Sequence, residues 1–249
     1  MVINVKTPEE LAKMRVACAI TRDVLLFAEE KIKAGMTTGF LDKIIRDFIE
    51  RHGATPSFLD YHGYPASSCI SIDDEVVHGI PSDERYIEEG MIVSVDVGAY
   101  INGFHGDAAR TFIIGEVDEN VRKLVRETKE SFFAAARIIK PGTTIGDIGY
   151  AVSGHVKQFG YGVVKEMVGH GIGRNMHEFP DVPNYGVKGK GIKLVANNTI
   201  AVEPMINLGT ARIKFMPDGW TVKTYDGKPS AHYENTILVT EEGCEILTL

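Results

Sequence analysis

Four acidic residues stand in runs that are otherwise apolar: Asp96 in SVDVG, Asp107 in FHGDAART, Glu203 in AVEPM and Glu234 in YENTILV. A carboxylate facing a dry interior is costly unless it is paired or bound to a metal, so acids in such settings ask for a partner. A turn ties the first two together. Asn102-Gly103 between two β-rich runs signals a two-residue hairpin, which sets Gly98 opposite Asp107. Asp96 then shares a face with Asp107 as its diagonal neighbour, within reach of a common ion. A surface hairpin decorated with acids would favour Lys or Arg opposite the Asp, and none occurs between the two acids.

Imidazole is offered by the glycine-rich GHGIGRNMHE, which carries His170 and His177. Their spacing is not that of the HExxH metal helix, and either one alone reads equally as a hydrogen-bonded loop histidine. Beside four carboxylates, however, one imidazole completes a hard, oxygen-rich ligand set. Carboxylates about 5 Å apart repel by roughly 3 kcal/mol per pair at an effective dielectric near 20, and two divalent cations cancel the charge of all four. Such ligands suit Mn, Fe(II), Co or Zn and argue against a thiolate zinc finger. A metal pair of this kind can share one water, lower its pKa and aim it at a carbonyl or phosphoryl centre.

Distant parts of the chain must fold together to gather these groups. Thr7-Pro-Glu-Glu is a helix-start signal, and Leu11, Met14, Cys18, Leu25 and Ile32 then recur at helical spacing, which predicts a helix over 7–33. A second helix is expected over 38–51, with Leu41, Ile44, Ile45 and Phe48 on one side and Gly53 as its stop. From 58 to 112 the texture becomes β-rich in CISI, MIVSVDVGAYI and ARTFII; helices return over 121–139 and 145–159, and short strands fill the remainder. This order suggests a duplication. Lys33, Gly35, Thr37, Gly39 and Gly53 recur as Lys140, Gly142, Thr144, Gly146 and Gly160, a constant offset of 107 residues. The same offset carries Asp96 onto Glu203, so we expect a shared site on a pseudo-two-fold axis.

Composition narrows the function classes. The 249 residues are 44% hydrophobic and 24% charged, within the range of a folded domain. The net charge of −7 comes without a basic block, which disfavours a nucleic-acid-coating or membrane-surface protein and leaves small molecules or peptides as partners. Cys18, Cys69 and Cys244 are odd in number and widely spaced, so neither a disulfide framework nor a structural zinc site is indicated. No stretch approaches the roughly 20 apolar residues of a membrane span, and the expected setting is cytoplasmic.

The segments HGIP (His78), VDVG with FHGDAART, GHGIGRNMHE, AVEPM and YENT together resemble, in order and spacing, the type I methionine aminopeptidases over essentially the whole chain. That resemblance implies an α+β pita-bread fold, a single catalytic domain over 1–249. Its two pseudo-symmetric αβ halves, about 7–112 and 114–240, surround a central curved antiparallel sheet with helices on its outer face. It also implies that Asp96 binds one metal through both oxygens, Asp107 and Glu234 bridge two metals, and His170 and Glu203 complete the second. His78 and His177 would be the substrate-facing imidazoles, with Glu203 handing the nucleophile's proton toward the leaving amine. The implied reaction is cotranslational release of N-terminal Met from nascent chains, by a metal-bridging hydroxide attacking the first peptide carbonyl. By the same resemblance Phe58, Tyr61, Tyr64, Cys69, Met176 and Trp220 line an apolar pocket for the Met side chain; plain core packing explains Phe58 and Met176 nearly as well. A monomer is expected, and contact with the ribosome is implied by the family's task, to which the net charge of −7 adds no independent support.

Two positions depart from the family pattern. Asn235 stands where Glu-His-Thr is common, so any role of that imidazole behind the ligands passes to an amide or is lost. Asp73, followed by Asp74 and Glu75, stands where Asn is common, which puts in question the auxiliary monovalent-cation site of some members. The competing readings are a proline-specific pita-bread peptidase, a non-catalytic metal-binding paralogue, and a protein that holds structural calcium in the acid cluster.

Overall fold

The structure, a computed structural model, describes residues 3–249. Helix α1 (Pro8–Lys31) starts at a capping box in which the Thr7 side chain accepts from the Glu10 amide and the Glu10 carboxylate accepts from the Thr7 amide. It ends two residues before the expected Lys33 because Ile32 is already extended. Helix α2 (Thr38–Arg51) has the predicted bounds, capped by the Thr37 hydroxyl and stopped at Gly53, whose φ of 74° only glycine adopts readily. Strands β1 (Thr55–Pro56), β2 (Ser68–Ile72), β3 (Glu75–Val77), β4 (Ile92–Ile101) and β5 (Phe104–Ile113) follow.

Helix α3 (Glu119–Ala136) begins two residues before the expected Val121, because the Asp118 side chain accepts from the Asn120 amide and starts the helix there. Helix α4 (Ile145–Lys157) closes two residues before Phe159. Ten short strands complete the chain: β6 (Gly162–Val163), β7 (Gly169–Gly171), β8 (Glu178–Val182), β9 (Thr199–Val202), β10 (Met205–Asn207), β11 (Ile213–Phe215), β12 (Val222–Thr224), β13 (Ser230–His232), β14 (Glu234–Val239) and β15 (Cys244–Ile246).

Nine strands form one antiparallel sheet whose main path is β1-β4-β5-β14-β9-β7-β8, with β2 beside β4 and β15 beside β14. Two three-stranded sheets, β13-β10-β6 and β11-β12-β3, flank it. Strand alternation divides the faces of β4: Val93, Val95 and Val97 are fully buried against Val24, Leu25, Leu41 and Ile45 of α1 and α2, while Asp96 points the other way. A second core lies under the other helix pair, where Leu124, Phe132, Ile148 and Val152 meet Ile200, Val202 and Ile206. Burying each such side chain contributes about 1.5–3 kcal/mol. The helices therefore cover the outer face of the sheet and leave its inner face to the polar groups.

The 107-residue offset recurs in structural detail. Thr37 caps α2 and bridges Tyr86, and Thr144 caps α4 and bridges Lys193. The Gly35 amide donates to the Ile87 carbonyl as the Gly142 amide donates to that of Leu194, both at 2.8 Å. In the same relation, Thr21 donates back to Ala17 and Thr128 to Leu124. Among the described residues no helix is long and apolar enough to cross a membrane.

Candidate metal centre

The β4–β5 hairpin turns at Asn102 and Gly103, whose φ values of 55° and 84° are those of the tight turn that Asn-Gly favours. Its register runs unbroken from Ile92 opposite Ile113 to Ile101 opposite Phe104, with Gly98 opposite Asp107 as the sequence predicts. One row further, Ala109 pairs with Asp96 on one side and Glu234 on the other. A methyl group thus separates two acids on one face of three adjacent strands, leaving room for something larger than a hydrogen bond. Glu203 differs from expectation: it lies just past β9, at the step where the chain leaves the large sheet for β10. Pro204, which has no amide hydrogen to give a ladder, follows it. His170 sits at the centre of β7 between glycines; a Cβ at Gly169 would overlap the Ala201 carbonyl and one at Gly171 would crowd that of Phe179. Only a bare backbone lets the neighbouring strands press this close to the imidazole.

These five side chains meet at the floor of one cavity of about 310 Å³. Asp107, His170 and Glu234 are buried, while Asp96 and Glu203 open into the cavity. His170 Nε2 stands 3.6 Å from both Asp107 Oδ2 and Glu203 Oε1, too long for hydrogen bonds but close to the separation of two ligand atoms on one cation. Its Nδ1 lies 2.8 Å from the Gly171 carbonyl, which makes Nδ1 the protonated nitrogen and frees Nε2 as a ligand. Among the described residues, buried Asp96 Oδ1, Asp107 Oδ1 and Glu234 Oε1 have no hydrogen-bond partner. Among the described residues no Lys or Arg forms an ion pair with any of the four acids.

Electrostatics sharpen the point. Burial pushes the Asp96 carboxyl up to about 8. It also raises Asp107, Glu203 and Glu234 far above the ordinary carboxylate range, with the neighbouring acids adding to the effect. Burial holds His170 down at about 3, so its imidazole is neutral and its lone pair available. Orphaned oxygens, mutually repelling carboxylates and a neutral imidazole form a donor set that fits divalent cations.

Above the floor, His78 and His177 line the same cavity. His78 has a φ of 60°, unusual for a residue with a side chain and a feature that clusters at functional sites. Burial lowers its pKa to about 4, and His177 is lowered by the same cause. The Tyr61 hydroxyl lies 2.7 Å from His177 Nδ1, which leaves Nε2 free for another partner. Phe58, Tyr64, Cys69 and Met176 form a buried apolar cluster, with Tyr61 and Trp220 packed against it. Trp220 meets Tyr64 edge-on at 5.1 Å. All thirteen residues singled out in the sequence therefore line one cavity.

Both departures engage other parts of the fold, although among the described residues the buried Asn235 Nδ2 has no partner. Asn235 faces away from the acids, its Oδ1 accepting from Arg110 and Thr248. Asp73 Oδ1 accepts from the Ile92 amide at the start of β4, while Arg85 and Lys223 pair with Glu75 and Asp74. Sequence reasoning missed three groups. His62 lines the cavity beside Tyr61. Glu178 holds the loop between His170 and His177 by accepting from the amides of Arg174 and Asn175 and from Lys6; its position next to His177 in MHE was the available signal. His232 lies within 4.8 Å of Asp96 and Glu234. Its spacing of two from Glu234 in an extended run, which puts both on one face, could have revealed it.

Comparison with known proteins agrees with this geometry. The methionine aminopeptidase of Clostridium acetobutylicum is 49% identical over 247 residues, covering 99% of both chains. The crystal structure of methionine aminopeptidase from Thermotoga maritima superposes with a TM-score of 0.98 at 42% identity, covering 99% of each chain. The expected pita-bread architecture is therefore the one this chain adopts. The prolidase from Pyrococcus furiosus shares the fold at a TM-score of 0.81 and 26% identity, over 98% of this chain but 65% of its own. Residues 12–241 match the model of metallopeptidase family M24, and the chain belongs to that family.

Proposed function

We propose that this protein removes the N-terminal methionine from peptides and newly made chains, using two divalent cations held by Asp96, Asp107, His170, Glu203 and Glu234. The observation that carries the reading is the convergence of four uncompensated acids beneath an aromatic pocket that also holds the sulfurs of Cys69 and Met176. A flexible thioether gains dispersion and sulfur–aromatic contacts in such a pocket. The likeness to methionine aminopeptidases supports the same substrate over an Xaa-Pro peptide.

Bound there, a divalent pair of the Mn, Fe(II), Co or Zn class would supply an acidified water and a polarised carbonyl. The remaining work falls to the chain. Glu203, open to the cavity, takes up the nucleophile's proton and returns it to the leaving amine. His78 and His177, neutral at working pH, orient the scissile amide and donate to the oxygen on which charge develops; one such donor is worth about 3 kcal/mol in a dry site. Tyr61, by engaging His177 Nδ1, fixes which nitrogen faces substrate. Phe58, Tyr64, Cys69, Met176 and Trp220 position the methionine side chain. The whole of 1–249 acts as one catalytic domain, and the unpaired thiols of Cys18, Cys69 and Cys244 support a reducing, cytoplasmic setting.

The test is a pair of peptides. Metal-loaded protein should free methionine from Met-Gly-Met and leave Ala-Pro-Ala intact. The reverse preference would move the assignment to a proline-specific peptidase, and bound metal without cleavage of either peptide would leave a binding protein.

A further inference from the structure

We propose that His232 is a metal ligand, coordinating through Nε2 the cation held by Asp96 and Glu234. The inference rests on the reading of the acid cluster as a two-cation site. Two triads of donor atoms, each mutually within 4.8 Å, lie side by side: Asp107, His170 and Glu234, and Asp96, His232 and Glu234. His232 itself sits behind the cavity rather than on its lining. The triads share Glu234, and each contains one imidazole.

His232 Nε2 is buried and, among the described residues, has no hydrogen-bond partner, which is costly for a polar nitrogen. It lies 3.7 Å from Glu234 Oε2, and both side chains are 2% exposed. A hydrogen bond would close to about 3 Å. Two ligand atoms each about 2.1 Å from a tetrahedral cation stand about 3.4 Å apart, so the gap is the one an ion would span. The corresponding distances of 3.6 Å around His170 are nearly the same.

The backbone holds the ring in place. The His232 amide donates to Thr111 Oγ1 at 2.9 Å, and the Thr111 hydroxyl donates to the His232 carbonyl at 2.8 Å. Thr111 lies on β5, the strand that also carries Asp107. On its other side His232 pairs with Met205 of β10. An imidazole on each cation, in place of one imidazole for the pair, shifts the Asp96 side toward Zn, Co and Fe(II) and away from the all-oxygen preference of Mg and Mn.

Cobalt provides the probe. The full-length protein, loaded with two equivalents of Co(II), should show by X-ray absorption one imidazole per cobalt, two in all. His232→Gln, close in size, should halve that count and weaken one class of Co(II) site by more than tenfold in isothermal titration, leaving the other class unchanged; positioning groups behind metal ligands already cost about 10–100-fold. A count of one imidazole per two cobalts in the unaltered protein would overturn the proposal without any variant. Unchanged affinities in a folded His232→Gln would overturn it too. Failure of the unaltered protein to bind two cobalts would instead remove the two-cation reading on which the inference rests.

Discussion

The four acids were legible together, because an acid in an apolar β-rich run needs a reason and the hairpin and repeat relate them to one another, whereas His170 gained meaning only beside them. Asp107→Asn keeps the shape of the side chain but removes a charge from the triad it forms with His170 and Glu234. It is expected to weaken cation binding by at least tenfold in isothermal titration, and unchanged affinity would remove Asp107 from the ligand set. His78→Ala makes the opposite prediction: cation content stays the same by elemental analysis, while kcat falls by about 10²–10³. If that variant came out metal-free, His78 would belong among the ligands. The residues that escaped notice have physical reasons in common. His62, exposed in YHGYP, sits in no apolar run, and Glu178 acts by holding a loop rather than by chemistry. For His232, the two carboxylates it meets are 136 positions away at Asp96 and two away at Glu234, and only the folded sheet brings all three together.

At the scale of elements, the sequence was most informative where local chemistry decides the outcome. Asn102-Gly103 fixed the turn and with it the whole β4–β5 register, and the Thr7 and Thr37 caps fixed where α1 and α2 begin. Helix ends and the position of Glu203 were less legible because tertiary contacts set them: β9 stops at Val202 where the chain crosses into a different sheet. The strands around His170 depend on bare backbone, and this can be tested. Gly171→Ala would press a methyl against the Phe179 carbonyl and force β7 from β8. A loss of about 1–3 kcal/mol in denaturant unfolding is expected, together with weaker cation binding as His170 shifts. Gly154, within α4 and with nothing near its Cβ position, is the control; Gly154→Ala should stabilise by about 0.5–1 kcal/mol and leave cation binding alone. Equal effects at the two glycines would show that strand spacing at His170 is not tight.

At the scale of the whole molecule, the site is a stress that the fold carries until cations arrive. Asp96 rises to about 8 and its companions rise with it, so the metal-free native state binds more protons than the unfolded chain does. Stability present at low pH is therefore lost as pH climbs through the native values. The buried histidines act in the opposite sense: His170 and His78 are depressed to about 3 and about 4, and their contribution is lost as pH falls below about 6.5. Between about pH 7 and 8 the histidines are largely neutral in both states, and the carboxylates dominate. The melting temperature of metal-free protein is expected to fall across that window. Two equivalents of Mn(II) or Co(II) should raise it and flatten the slope, because binding only the native state adds stability. A flat metal-free profile would mean that the acids are not crowded together in solution.

The most direct measurement is free methionine released from Met-Gly-Met by protein first stripped with a chelator and then titrated with Co(II). The site described here predicts negligible release at the start, a rise that levels off by two equivalents, and return to baseline when the chelator is restored. Full turnover by the stripped protein would contradict the claim that Asp96, Asp107, His170, Glu203 and Glu234 work by holding cations.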